Sequence, residues 1–373
     1  MKLGLKIYSA LALVLSVSGC SFQNSRLQEV ESLLVDMNRE GHFDASFTIG
    51  NKSGVIYSKS FGLADRSWSI PISNETRFDI ASLNKSFVAV MIMQLVEQGK
   101  LKLTDTLSTH LTYSGEYADQ ITIHQMLTHT SGLPDYDAID EKLKKNQFEG
   151  FKRLHFNNKD YVDFISRLKP IGVPGAQFYY SNFAYHLLAI IIEITERKHF
   201  SEALDSMICK PLGLVSTFTP VDNYHTYPLL AEAYDYKEGI FLESPFIDYS
   251  LGRRIFSTSE DLVKWGIENS NPTLISNESN NWILRNHIGN LNPTISYGYG
   301  WVVFDGEGDY RMGKLDVPGN YVIHGGSTDG YRSLLIIYNG GEWIISLLGN
   351  IGDQINELKT GDDILKILIK EEI

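Results

Sequence analysis

Two β-hairpin signals stand at opposite ends of this chain, and most of what lies between them is patterned for helix. Near the N-terminus, Phe43 to Gly50 and Val55 to Gly62 are β-rich runs around the turn residues Asn51-Lys52-Ser53-Gly54. Near the C-terminus, Leu334 to Tyr338 and Trp343 to Leu348 flank Asn339-Gly340-Gly341. The two β-rich ends are expected to join in one sheet. The fold class is therefore read as α+β: an antiparallel sheet flanked by terminal helices, with a large helical lobe inserted. The expected boundaries are 29–81 plus 290–373 for the α/β lobe and 82–289 for the mainly helical lobe, since the chain is longer than one layered core usually serves. A last helix is expected from Asp362 to Lys370 and another from Ser201. A third is expected behind Thr258-Ser259-Glu260-Asp261, which resembles a capping box with Asp in place of Glu.

Where the first β-rich region ends, Ser82-Leu83-Asn84-Lys85 runs into the apolar segment Phe87 to Met93. This places a hydroxyl and an amine on the opening turn of a buried helix. Residues three apart are face neighbours on a helix, so the Lys85 amine can reach the Ser82 oxygen. A helix N-terminus favours developing negative charge, and burial lowers a lysine pKa until the amine can act as base. The spacing alone is a weak signal, because Ser166-Arg167-Leu168-Lys169 has it too. That copy ends an amphipathic stretch and runs into Pro170, and it reads as a solvated helix terminus.

Two further segments supply context. Pro174-Gly175-Ala176-Gln177-Phe178-Tyr179-Tyr180-Ser181-Asn182 precedes an apolar helix at Leu187 to Ile192, and His324-Gly325-Gly326-Ser327 opens the C-terminal strand region. With Ser82-x-x-Lys85 in front, this order resembles the serine beta-lactamase-like superfamily of class C beta-lactamases, penicillin-binding DD-peptidases, D-aminopeptidases and family VIII esterases, in its H-x-G form. Ile121 to Pro134 resembles the family's helix-and-turn between the first two motifs.

The resemblance implies a serine hydrolase with its site at the seam of the lobes. Ser82 is the implied nucleophile, with Lys85 and Tyr180 sharing the proton transfers. Asn182, His324, Gly326 and Ser327 bind substrate, and the backbone N–H groups of Ser82 and Ser327 form the oxyanion hole. A literal Lys359-Thr360-Gly361 is set aside as a loop and N-cap before the last helix. A lysine at the third motif is a fixed cation suited to a carboxylate. A neutral histidine donates one hydrogen bond and is charged only below an ordinary pKa near ~6.5. Arg253 and Arg254 stand where relatives commonly carry small glycines; they either line the cleft and restore anion binding or point into solvent, the reading favoured here. Substrate choice is assigned to the loops around Tyr136, Tyr249 and Arg254.

The first residues carry Lys2 and Lys6 ahead of an apolar run from Ile7 to Val17, too short to span a bilayer. They read as a secretory signal over 1–19. Val17-Ser18-Gly19-Cys20 resembles the bacterial lipobox, which implies acylation of Cys20, a tether over 20–28 and a lipid-anchored protein of the cell envelope. Only Cys209 would then remain, so no internal disulfide is expected. A net charge of −12 argues against a nucleic-acid partner. His124 and His129 are read as packing or hydrogen-bonding residues, and no metal or cofactor is expected. The expected partners are a small-molecule or peptidoglycan-type peptide or ester substrate and, through the anchor, a membrane. The reaction is expected on amide or ester bonds of beta-lactam or D-amino-acid peptide type. A short-chain carboxylesterase and a non-catalytic, lipid-anchored binding protein are the alternatives.

Overall fold

A computed structural model describes residues 24–136, 157–222, 225–243, 254–306, 308–328 and 330–370. The two hairpins do join. Helix α1 (24–39) leads into β1 (Ala45–Asn51) and β2 (Gly54–Phe61); β3 (Val302–Phe304), β4 (Tyr321–Thr328), β5 (Tyr331–Tyr338) and β6 (Trp343–Gly349) complete a six-stranded sheet in the order β2-β1-β6-β5-β4-β3. The chain's two ends meet where β1 pairs antiparallel with β6, from Ala45 opposite Gly349 to Gly50 opposite Ile344.

Strands β5 and β6 read as nearly unbroken apolar runs because both faces of the sheet are covered. Leu334, Ile336, Ile345 and Leu347 point to a core shared with Val30 and Leu34 of α1 and Ile364, Leu365 and Leu368 of the last helix. Their neighbours Leu335, Ile337, Ile344 and Leu348 point the other way, into the core of the helical lobe. That lobe is built on α2 (Asn84–Glu97) and α5 (Asn182–Glu196), both buried over most of their length. Around them lie α3 (Ile123–Leu127) and α4 (Asn158–Ser166), while α6 (Ser259–Ser270), although within 82–289, packs on β1, β2 and β6.

Four local expectations need correction. The last helix, α7, runs Glu357–Ile369, so Lys359-Thr360-Gly361 lies inside its first turns, with Asn356 accepting the Lys359 N–H as N-cap. Gly361 marks close helix–sheet contact: a Cβ there would lie 2.6 Å from Leu334 and 2.7 Å from Ile336. Residues 24–28, read as tether, are the first turns of α1, and Arg26 donates to the Leu368 carbonyl at 2.9 Å. Only half of the capping box at α6 forms. Thr258 accepts the Asp261 N–H, but the shorter Asp261 carboxylate turns to the Ser216 N–H and Thr217 hydroxyl. Ser166 ends α4 but is buried, bonded to Ser114 at 3.0 Å and to the Asp163 carbonyl, because the helix end packs inward.

Candidate active site

Ser82 sits on a single 3₁₀ turn, Ala81–Leu83, directly ahead of α2, so it precedes the helix proper while Lys85 lies in its first turn. Ala81 holds a left-handed φ of 48°, a conformation that costs an L-residue of this kind about 1–2 kcal/mol. Its neighbours hold it there. The Asp79 carboxylate accepts the Ala81 N–H at 2.8 Å with one oxygen and the Arg254 guanidinium at 2.6 Å with the other. Ile80 donates to the Ile255 carbonyl at 3.0 Å and accepts from the Ser333 hydroxyl of β5 at 2.6 Å. Arg254 therefore does not point into solvent. Its side chain is 14% exposed and that of Asp79 is 1% exposed, and a carboxylate this deep requires a counter-ion. Arg253 and Tyr249 lie outside the described residues.

The Lys85 amine is buried and lies 3.2 Å from Ser82 Oγ and 2.8 Å from Asn182 Oδ1. Desolvation pulls its pKa down to about 7, against the opposing pull of the Asp135 carboxylate. Asp135 was not singled out from the sequence. It accepts the backbone N–H and the side-chain NH₂ of Asn182, each at 3.0 Å, and burial lifts its pKa to about 6. Asn182 can stand at the first position of α5 because Ser181 caps that helix: its hydroxyl accepts the Ala184 N–H and donates to the Pro134 carbonyl. One residue earlier, the Tyr180 hydroxyl shares a hydrogen bond with Ser82, and burial raises its pKa above the ordinary tyrosine value. Tyr180 is thus neutral here, and the Lys85 amine lies 4.9 Å from its ring centre.

The third motif is fixed by a chain of rings. His324 Nδ1 lies 2.7 Å from the Gly325 carbonyl, which can only accept, so Nδ1 carries the proton and Nε2 accepts from the Tyr297 hydroxyl at 3.2 Å. His129 Nδ1 accepts the Ser181 N–H at 3.1 Å, which leaves its proton on Nε2, 3.3 Å from the same Tyr297 oxygen. The His129 ring in turn lies against Tyr180, with centres 4.2 Å apart. Burial, with the Lys85 charge adding to it, drops the His324 pKa to about 3 and holds that of His129 well below the ordinary value. His324 is neutral, and its one proton is engaged by the chain's own backbone rather than offered to a ligand. Beyond Ile323 the outer edge of β4 has no strand partner among the described residues. Gly326 lets that strand reach the turn bearing Ser82: a Cβ there would lie 2.4 Å from the Ile80 carbonyl oxygen and 2.9 Å from Ala81.

Ser82, Tyr180, His324, Gly325, Gly326 and Ser327 line one cavity of about 380 Å³. The family model for beta-lactamase matches residues 33–365. The chain belongs to the beta-lactamase family. Among curated relatives it is similar to protein flp of Staphylococcus aureus, 25% identical over 345 residues that make up 89% of this chain and 64% of that protein. It therefore spans less than two thirds of that relative's length. Penicillin-binding protein 4* of Bacillus subtilis is 27% identical over 342 residues, 85% of this chain and 70% of that one. Among solved structures, the octameric penicillin-binding protein homologue from Pyrococcus abyssi superposes with a TM-score of 0.77 at 23% identity, covering 92% of this chain and 77% of its own.

The family's motif positions converge, and the look-alikes do not. Lys359 is exposed on α7 and pairs with Asp363, while Ser166 lies on α4, away from that cavity. His124 bonds the Tyr299 hydroxyl at 2.6 Å, and His129 follows α3 in a left-handed turn rather than lying on it. No cluster of three or more metal-binding side chains occurs among the described residues. Tyr136 packs on Phe183 with ring centres 4.9 Å apart. Cys20 lies outside the described residues. Asp135, Asp79 and Tyr297 were missed because nothing local distinguishes a polar residue that is buried by distant chain.

Proposed function

We propose that this protein is a serine hydrolase that forms a covalent acyl ester on Ser82 and acts on amide or ester substrates of the cell envelope, of the D-amino-acid peptide type. One observation carries this: the buried Lys85 amine, with a pKa of about 7, sits between Ser82 Oγ and Asn182 Oδ1. At neutral pH a large fraction of Lys85 is the free base. It takes the Ser82 proton as Oγ attacks the substrate carbonyl, and the backbone N–H groups of Ser82 and Ser327 receive the oxyanion. Neutral Tyr180, bonded to Ser82, then hands its proton to the leaving amine or alkoxide and is reprotonated from Lys85. Water enters and the same groups run in reverse, releasing acid and free Ser82. Asn182, tied to Asp135, orients the lysine, while His324 and Gly326 set the wall of the cleft. The likeness to penicillin-binding protein 4* supports a site that takes penicillin-type amides.

A second reading, a short-chain carboxylesterase, is favoured by the apolar lining of the cavity, to which Val302, Met312, Ile323 and Leu334 contribute. Cys20 is proposed as the lipid attachment point that holds the enzyme at a membrane; Cys20→Ala should release it to the soluble fraction or leave it unprocessed. The deciding experiment is labelling with a fluorophosphonate and with a penicillin, followed by mass spectrometry, beside assays on D-amino peptides and p-nitrophenyl esters. An adduct on the Ser82 peptide that disappears in Ser82→Ala, with the fold retained, is expected. An adduct elsewhere, or none with either reagent, removes the reading in favour of a binding protein.

A further inference from the structure

The cavity at Ser82 is apolar on its far side and carries one charged side chain. Past His324 it opens along the free edge of β4, walled by Val302, Met312, Ile323, Leu334 and Leu358, and at its rim stands Glu357, the first residue of α7. Among the described residues no other acidic or basic side chain lines it, and His324 is neutral. Glu357 is partly buried, and no side chain bonds its carboxylate among the hydrogen bonds and ion pairs of the described residues. Burial raises its pKa, its own backbone N–H and the Arg332 charge work against this, and Asp353 adds to it. Arg332, the cation nearby, is committed elsewhere, donating to the Tyr331 carbonyl at 2.7 Å and pairing with Asp353.

A half-desolvated carboxylate with no side chain bonded to it discriminates among ligands by charge. A substrate carboxylate entering the apolar side of this cavity, away from Lys85, meets a like charge, and no cation lines that side among the described residues. A neutral end displaces water from Glu357 and gives nothing back. A protonated amine restores what burial removed, and the overall charge of −12 attracts it from a distance.

We infer that the cavity receives an apolar substituent ending in a protonated amine, with Glu357 as its counter-ion, so that amine-bearing esters or amides are selected over carboxylate-bearing ones. This rests on the reading of Ser82 as nucleophile only for its link to turnover. Binding tests it separately. In Ser82→Ala protein, calorimetric titration should show hexylammonium binding at least about tenfold more tightly than hexanoate, the scale of one charge-assisted hydrogen bond. Hexanol should fall between them. Glu357→Gln should reduce the ratio to about unity, and Glu357→Lys should reverse it, with circular dichroism confirming that each variant folds. Hexanoate binding as well as hexylammonium, a ratio unchanged in Glu357→Gln, or no saturable binding of hexylammonium would each overturn the inference. In the wild type, kcat/KM should rank p-nitrophenyl ω-aminohexanoate above hexanoate and both above the adipate monoester, with a second series carrying the charge on the leaving alcohol to identify which half enters the cavity. Absence of Ser82 labelling would remove the proposed function and leave the binding result standing; unselective binding beside normal labelling would do the reverse.

Discussion

Arg254→Met is the most informative single change outside the catalytic groups, because it leaves every reacting atom in place. It removes the guanidinium 2.6 Å from Asp79, a carboxylate whose side chain is 1% exposed. Breaking one partner of a buried pair costs roughly 3–5 kcal/mol. With Arg254 itself 14% exposed, water can reach part of the gap, so the low end applies. A loss of about 3 kcal/mol lowers the Tm of a domain this large by roughly 4 °C, since the unfolding entropy grows with chain length. The second effect is on chemistry. Asp79 holds the Ala81 N–H, and Ala81 carries left-handed strain of about 1–2 kcal/mol that favours relaxation of the turn bearing Ser82. Turnover and the rate of fluorophosphonate labelling should therefore fall about 5- to 30-fold, the same free energy expressed as a rate. Asp79→Asn in the same chain removes the buried charge while keeping an acceptor for Ala81. The double variant should consequently be more stable than Arg254→Met alone. Urea denaturation and p-nitrophenyl acetate turnover measure both effects. If Arg254→Met stays within about 0.5 kcal/mol of wild type, as an ordinary surface substitution does, the clamp is not structural and the argument fails.

Activity should rise with pH through the pKa of about 7 at Lys85, since the free amine is the base. Asp135 raises that pKa, so Asp135→Asn should move the acid limb of kcat/KM to lower pH; an unmoved limb, or one displaced upward, contradicts the coupling. Gly326→Ala should abolish turnover, because the new Cβ would lie 2.4 Å from the Ile80 carbonyl oxygen and displace β4 from the nucleophile turn. Gly325→Ala should keep activity on acetate esters, since its Cβ meets only the Ser333 carbonyl oxygen at 3.4 Å and Leu334 at 3.9 Å; equal losses at the two glycines would refute this placement. His324 has a folded pKa of about 3, below the ordinary ~6.5 of the unfolded chain. Between those values the unfolded chain binds the extra proton, so the contribution is complete above ~6.5 and is lost as pH falls toward 3. Stability curves of His324→Gln should be shallower than wild type in that window by about 1.4 kcal/mol per pH unit, and parallel curves would show that His324 is not buried neutral.

What was legible in the sequence was local. Short β-rich runs around Asn- and Gly-containing turns specified the hairpins, and three-residue spacing placed Lys85 beside Ser82, because both depend on geometry set over a few residues. The order of motifs identified the family and chose His324 over Lys359, which proved to lie on an exposed helical turn. Where local signals misled, packing had overridden them. Gly361 punctuates a sequence like a loop, yet it sits inside α7, where a missing side chain lets the helix close on β5. Arg254 has the composition of a solvent residue, yet the chain folded over it and gave it Asp79. The roles of Asp135, Tyr297 and Glu357 were decided only by tertiary structure. A carboxylate or a hydroxyl has the same chemistry anywhere in the sequence. Its burial, its partner and its pKa arise only when segments distant along the chain are brought within hydrogen-bond reach, as Asp135 is with Asn182 and Tyr297 with His129, 168 residues away.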